Sequence, residues 1–100
     1  MTVTPDASAN APEELTRLRE EIEGVDRDLI RLVAHRVALA RRVGAVKRAA
    51  GLPAFDPARE AAIVRRVTEV AREEGAPEED TRYLFWQLIA MSRRAQLEEQ

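Results

Sequence analysis

The chain has 100 residues, with 16 basic and 18 acidic side chains and a formal net charge of −2. That is about one small domain, and a chain of this size alone buries only part of its surface. The absence of cysteine excludes a disulfide scaffold and every thiolate metal site, and one histidine cannot serve both a catalytic triad and a multi-histidine metal site. The near-neutral charge gives no bulk attraction to nucleic acid or an anionic membrane. No apolar run approaches the roughly 20 residues that span a bilayer. A soluble, highly charged helical domain remains.

Residues 1–11 are small and polar, with Pro5 and no hydrophobic periodicity. They are expected to form a disordered tail outside a folded domain of residues 12–100. They have neither the basic start nor the apolar stretch of roughly 7–15 residues that a secretory signal needs. Together with the lack of cysteine, this leads to an expected cytoplasmic location.

Residues 12–50 contain no proline after Pro12. Leu15, Leu18, Ile22, Val25, Leu29 and Leu32, then Leu39, Val43, Val46 and Ala50, recur at steps of three and four, a heptad-like seam. Pro12 suits a first helical position, Glu13 and Glu14 favour the first turn, and Gly51 with Pro53 stops the helix. A second helix opens at Asp56-Pro57, carries Ile63, Val64, Val67, Val70 and Ala71 on one face, and ends at Gly75. A third begins near Pro77 and is expected to bury Leu84, Phe85, Leu88, Ile89 and Met91, with Arg93 and Arg94 near its C-terminal end. The expected fold is all-α with three helices per chain.

The first helix is disproportionately long. About 38 residues span about 57 Å, whereas a compact 100-residue domain has a radius of gyration of about 13 Å. Two short helices cannot cover such a seam, so a second copy of the chain is the expected cover, in an intertwined homodimer.

Charges interrupt the apolar pattern. The seam position after Leu32 is Arg36, and Lys47 lies eleven residues further on, on the same face. A buried arginine is costly unless paired or bound to an anion. Arg19 lies seventeen residues before Arg36 and about 100° away around the helix, so it is better placed to serve a partner chain's pocket. Alternatively, Arg36 fixes the register of a coiled coil, and Arg19 and Lys47 are solvated flank charges. Glu60 falls on the line of Val64, Val67 and Ala71, and capping does not explain it, because Arg59 occupies the capping-box position after Asp56. Ser92 and Gln96 continue the stripe of Leu88 at steps of four, although such residues near a helix end are often merely exposed.

Three cations, a carboxylate, a hydroxyl and an amide include no thiol, no histidine base and no metal set. Covalent catalysis is poorly supported by such an inventory. It suits the binding of a small polyanion, with arginine as a bidentate carboxylate clamp. Any catalysis would come from conformational selection and electrostatics.

Four motifs carry a resemblance to a known family: Leu18-Arg19-x-x-Ile22-x-x-x-Asp26; Arg36-x-x-Leu39-Ala40-x-x-Val43-x-x-x-Lys47; Pro53-x-x-Asp56-x-x-Arg59-Glu60; and Phe85 with Ser92-x-x-x-Gln96. In their joint spacing, over residues 15–96, the chain resembles the all-helical (type II) chorismate mutases. The resemblance implies a homodimer with two sites that convert chorismate to prephenate by a Claisen rearrangement, in aromatic amino-acid biosynthesis, without a cofactor. It implies that Arg36 and the partner's Arg19 clamp the substrate carboxylates. Lys47 and Gln96 would donate to the ether oxygen, and Glu60 would accept from the ring hydroxyl with help from the Asp56 segment. Ser92 would line the carboxylate end, and Arg59 would pair with an acid or approach the substrate. No role follows for Trp86, taken as packing, or for His35, taken as a surface residue.

Two relatives on the same fold compete with this reading: isochorismate–pyruvate lyase, and a mutase of 4-amino-4-deoxychorismate. The Asp56-x-x-Arg59-Glu60 run favours chorismate, although an amino substituent could also use Glu60. A helical dimerisation module without activity is a rival of a different class, and dependence on a partner enzyme is a further option.

Overall fold

The structure is a computed structural model, described here for residues 9–98. The expected tail falls largely on residues 1–8, which lie outside the described residues. Three helices follow in order: α1 over Ala11–Ala50, α2 over Pro57–Glu74 and α3 over Glu78–Gln96. The described residues contain no strand, and no described helix is long and apolar enough to cross a membrane. The all-α, three-helix expectation therefore holds.

The helix ends follow from local chemistry. At the start of α1 the Asn10 carbonyl accepts from the Glu14 N–H at 2.9 Å, so the helix begins one residue earlier than Pro12 suggests. At its end, Gly51 takes φ +70°, its N–H reaches the Arg48 carbonyl, and the Leu52 N–H reaches the Lys47 carbonyl at 2.8 Å. This pair of reversed bonds is the Schellman arrangement, which needs a left-handed residue and so favours glycine. Gly75 ends α2 in the same way, at φ +74° with the Ala76 N–H bonded to the Ala71 carbonyl. The Asp56 carboxylate caps α2 by accepting from the Arg59 N–H at 3.0 Å, and Pro57 supplies the first helical residue. Pro77 offers no side-chain cap to α3, and Glu78, Glu79 and Asp80 face the positive end of its dipole instead.

The chain divides into two compact units at Leu32 and Val33. The first, through Leu32, is the leading stretch of α1. Leu15, Leu18, Ile22, Val25, Leu29 and Leu32 are each about half exposed or more. Its polar contacts are local: Thr16 Oγ1 donates to the Pro12 carbonyl at 2.9 Å, and Arg31 pairs with Asp28 at 3.5 Å on an open surface. Such an exposed pair contributes little to stability.

The second unit, Val33–Gln100, contains the end of α1, α2 and α3. Here α2 and α3 pack on each other across the short link of residues 75–77. The centre is built from small and medium side chains: Ala40 and Gly44 of α1, Val67 and Ala71 of α2, and Ile89 and Ala95 of α3. Small residues let helix backbones come close. A Cβ built on Gly44 would overlap the backbone carbonyl oxygen of Gln96 and stand 2.7 Å from its Cα. The core is thin, and no large side chain among the described residues is fully buried. Leu39, Val43 and Val46 of α1, Val70 of α2 and Leu84 of α3 stay substantially exposed. The expectation that Leu84 is buried therefore fails: the α2–α3 packing covers Ile89 on one face and leaves Leu84 on another.

Candidate active site

A pocket of about 480 Å3 opens within the second unit, in the size range of small-molecule sites. On α1, Arg36, Ala40, Val43 and Lys47 line it, at the three-and-four spacing that holds residues on one helix face. Around α2, Asp56, Arg59, Ile63 and Arg66 line it, and Ser92 and Gln96 come from α3. A smaller recess of about 50 Å3 shares Arg36, Lys47 and Gln96 with the pocket and is lined in addition by Glu60.

Arg36 is half-buried at its seam position. Its Nη1 donates to the Leu88 carbonyl at 3.2 Å and to Ser92 Oγ, and its guanidinium carbon stands 5.9 Å from the centroid of the Phe85 ring. Only one of its three nitrogens is engaged by described residues, so its remaining N–H groups keep the planar fork that matches a carboxylate. Burial, then the charges of Arg66 and Arg59, push its pKa below the usual arginine value. Arginine still stays protonated under ordinary conditions, and no acid pairs with Arg36 among the described residues. An anion in the pocket would offset both the cost of burial and the repulsion.

Lys47 is also half-buried, and its Nζ donates to the Ala54 carbonyl at 3.0 Å and to Gln96 Oε1 at 2.8 Å. An ammonium has three donors and no acceptor, which has two consequences. One N–H of Lys47 remains unspent, and the oxygen end of the Gln96 amide is the end that faces Lys47, leaving its NH2 free to donate elsewhere. The backbone of Gln96 is held as well, because its carbonyl accepts from Arg48 Nη1 at 2.6 Å.

Glu60 does not stand alone. Its Oε1 accepts from Arg93 Nη2 at 2.5 Å and its Oε2 from Arg93 Nε at 3.2 Å, a bidentate pair. The Arg93 guanidinium lies 4.9 Å from the centroid of the Phe55 ring. The hydrogen bond to Glu60 holds the Arg93 pKa above its usual value. Asp56 has its Oδ1 committed to the helix cap, and Arg59, exposed at the pocket rim, has no acid partner among the described residues.

The second unit thus gathers Arg36, Lys47, Asp56, Arg59, Ser92 and Gln96 around one pocket, with Glu60 at the adjoining recess. Arg19 belongs to the first unit, is exposed, and is not part of the lining. His35 is exposed and Trp86 is 44% exposed, away from the lining. Sequence reasoning missed four contributors. Arg66 shares the face of Arg59 two turns on, a signal that was open to reading. Arg93, Arg48 and Gly44 act through partners on other helices, which spacing along one helix does not reveal.

Comparison with known proteins identifies the family. Residues 18–97 match the model of the family described as chorismate mutase type II. A chorismate mutase from Methanocaldococcus jannaschii is 31% identical over 84% of this chain and 85% of its own length. A bifunctional chorismate mutase/prephenate dehydratase from Aquifex aeolicus is 39% identical over 61% of this chain, which spans only 17% of that larger protein. Among solved structures, a conserved hypothetical protein from Pyrococcus furiosus superposes with a TM-score of 0.68 at 30% identity, over 83% of this chain and 95% of that one. With the matched region running through α1, α2 and α3 and containing every pocket residue named above, the chain belongs to the type II chorismate mutase family.

Proposed function

We propose that the pocket binds chorismate and rearranges it to prephenate, as a cytoplasmic step of phenylalanine and tyrosine biosynthesis. The observation that carries this reading is the half-buried Arg36, whose charge two further arginines leave uncompensated at the mouth of a small pocket. Chorismate is a dianion, and a carboxylate in the open fork of Arg36 would restore the missing charge. The rearrangement is pericyclic: the ether C–O bond breaks as a C–C bond forms within one bound molecule. It therefore needs no nucleophile and no proton transfer, and the pocket has to supply shape and charge.

The free N–H of Lys47 and the free NH2 of Gln96 belong to side chains that are bonded to each other and both line the pocket. There they would meet the ether oxygen as it gathers negative charge. Donors fixed in advance on such an oxygen each lower the barrier by about 3–4 kcal/mol. Glu60 would accept from the ring hydroxyl, Ser92 would line the carboxylate end beside Arg36, and Arg59 would close the rim.

A second copy of the chain completes the proposal. The exposed series Leu15, Leu18, Ile22, Val25, Leu29 and Leu32 is continuous, and each residue stands to gain on the order of 1 kcal/mol from being covered. Pairing of two such stretches would form the intertwined homodimer and carry Arg19 of one protomer to the pocket of the other, where it would take the second carboxylate.

The test is a continuous assay of chorismate loss with prephenate identified as product. Lys47→Ala should lower kcat/KM by about 10²–10³, the usual loss for one such donor, without unfolding the protein. Wild-type protein that leaves chorismate unchanged, or a Lys47→Ala variant with unaltered turnover, would overturn the reading.

A further inference from the structure

The environment of Glu60 says more about what the recess accepts than the presence of a carboxylate does. Its side chain is only 15% exposed, and both oxygens accept from one guanidinium. That guanidinium in turn lies over Phe55. The bidentate pair and the ring together fix the plane of Arg93, and hence the plane of the Glu60 carboxylate. Each carboxylate oxygen keeps a lone pair, so Glu60 can still accept a hydrogen bond from a ligand. Its negative charge, however, is already compensated. The other charges lining the pocket are the cations Arg36, Lys47, Arg59 and Arg66 against Asp56 alone. A ligand group beside Glu60 therefore meets a fixed acceptor in positive surroundings. Those surroundings suit a neutral O–H donor and oppose an ammonium, which would need the full negative charge of a free carboxylate.

We infer that Arg93 is a specificity-determining residue: by pairing with Glu60 and compensating its charge, it selects substrates whose ring carries a hydroxyl over those whose ring carries an ammonium. The inference rests on the proposed rearrangement and assigns a role to a residue that the fourth motif leaves open, between Ser92 and Gln96. Arg93 acts through Glu60 and is a positioning residue in that reaction.

Chorismate and 4-amino-4-deoxychorismate differ at this group, and the ratio of their kcat/KM values is the measurement. Inactive protein lowers both rates in proportion, so the ratio reports specificity even if a variant folds poorly. Wild type is expected to favour chorismate. Arg93→Met, which keeps bulk and removes charge, is expected to shift the ratio towards the amino substrate by at least about tenfold. Arg93→Lys, which keeps charge and loses the fork, is expected to shift it by less than about threefold, as a charge effect requires. Chorismate turnover with an unmoved ratio in Arg93→Met would overturn the inference and leave the proposed reaction standing. No turnover of either substrate by wild type would overturn both.

Discussion

Up to Leu32, the apolar residues of α1 recur at three and four, and all six of the series are about half exposed or more. From Val33 onwards the same spacing continues, but one of its positions holds Arg36, Lys47 shares that face eleven residues on, and the helix lies against Ser92 and Gln96 of α3. One periodicity therefore serves two ends. Where it is purely apolar it leaves a surface in search of cover. Where a cation takes an apolar place it makes a polar pocket, because Arg36 and Lys47 on that face are half-buried and donate hydrogen bonds to neighbouring elements. The spacing names the face, and the residue type decides what the face does.

The sharpest way to break this comparison is to put a charge into the first stretch. Ile22→Glu would bury one unpaired carboxylate per protomer in the proposed pairing, at a cost of about 3–5 kcal/mol each. The expected result is dissociation to monomers in sedimentation and loss of chorismate turnover by at least about a hundredfold at micromolar protein. Ile30→Glu, at the 69% exposed residue that falls outside the seam, should change stability by no more than about 0.5 kcal/mol. An Ile22→Glu protein that stays dimeric and active would show that this stretch is not the pairing surface.

A smaller and more local effect comes from the second stretch. Gln96 is a neutral amide and donates at any pH, whereas Gln96→Glu donates only when protonated. A glutamate ordinarily titrates near about 4.3, and the Lys47 ammonium beside this position favours the ionised form and lowers that value further. As pH rises from about 5 to 8 the variant is therefore increasingly a pure acceptor, bound to Lys47 and unable to donate. Its kcat/KM should fall by about tenfold per pH unit at the acid end of that range and level off about a hundredfold below wild type by pH 7, the loss expected for one missing donor. Wild type should show no such limb through this residue. A variant with a flat profile between pH 5 and 8 would remove Gln96 from the donor role.

Much of this was open to reading in the sequence. Asp56-Pro57, Gly51 and Gly75 mark helix ends because each supplies a local geometry that few residues allow. Arg36 was visible because a charge on an apolar seam is anomalous, Lys47 because it shares the face of Arg36 three turns on, and Ser92 and Gln96 because they continue a stripe. What stayed hidden depends on how helices meet. Glu60 and Arg93 are 33 positions apart, and nothing in the spacing of either helix says that they pair. Leu84 sits in an apolar run and is still 53% exposed, since burial is decided by what packs opposite.

The finest test substitutes one residue type at two places on α1. Gly24 has open space around the position of a Cβ, so Gly24→Ala should stabilise the protein by about 0.5–1 kcal/mol through helix propensity and the unfolded state. Gly44→Ala gains the same propensity and meets the Gln96 backbone, with Cα at 2.7 Å and the carbonyl carbon at 2.8 Å from the new methyl. These are main-chain atoms that cannot swing aside as a flexible side chain would, so the end of α3 has to move. Overpacking of that kind costs about 1–3 kcal/mol, which outweighs the propensity gain of up to about 1 kcal/mol. The melting temperature should fall by a few degrees, whereas Gly24→Ala should raise it. Because the shift carries Gln96 with it, kcat should drop by about tenfold with KM little changed, as expected when a donor is displaced by a fraction of an ångström from its place. Equal effects of the two substitutions would mean that the close approach of Gly44 to Gln96 does not set the site.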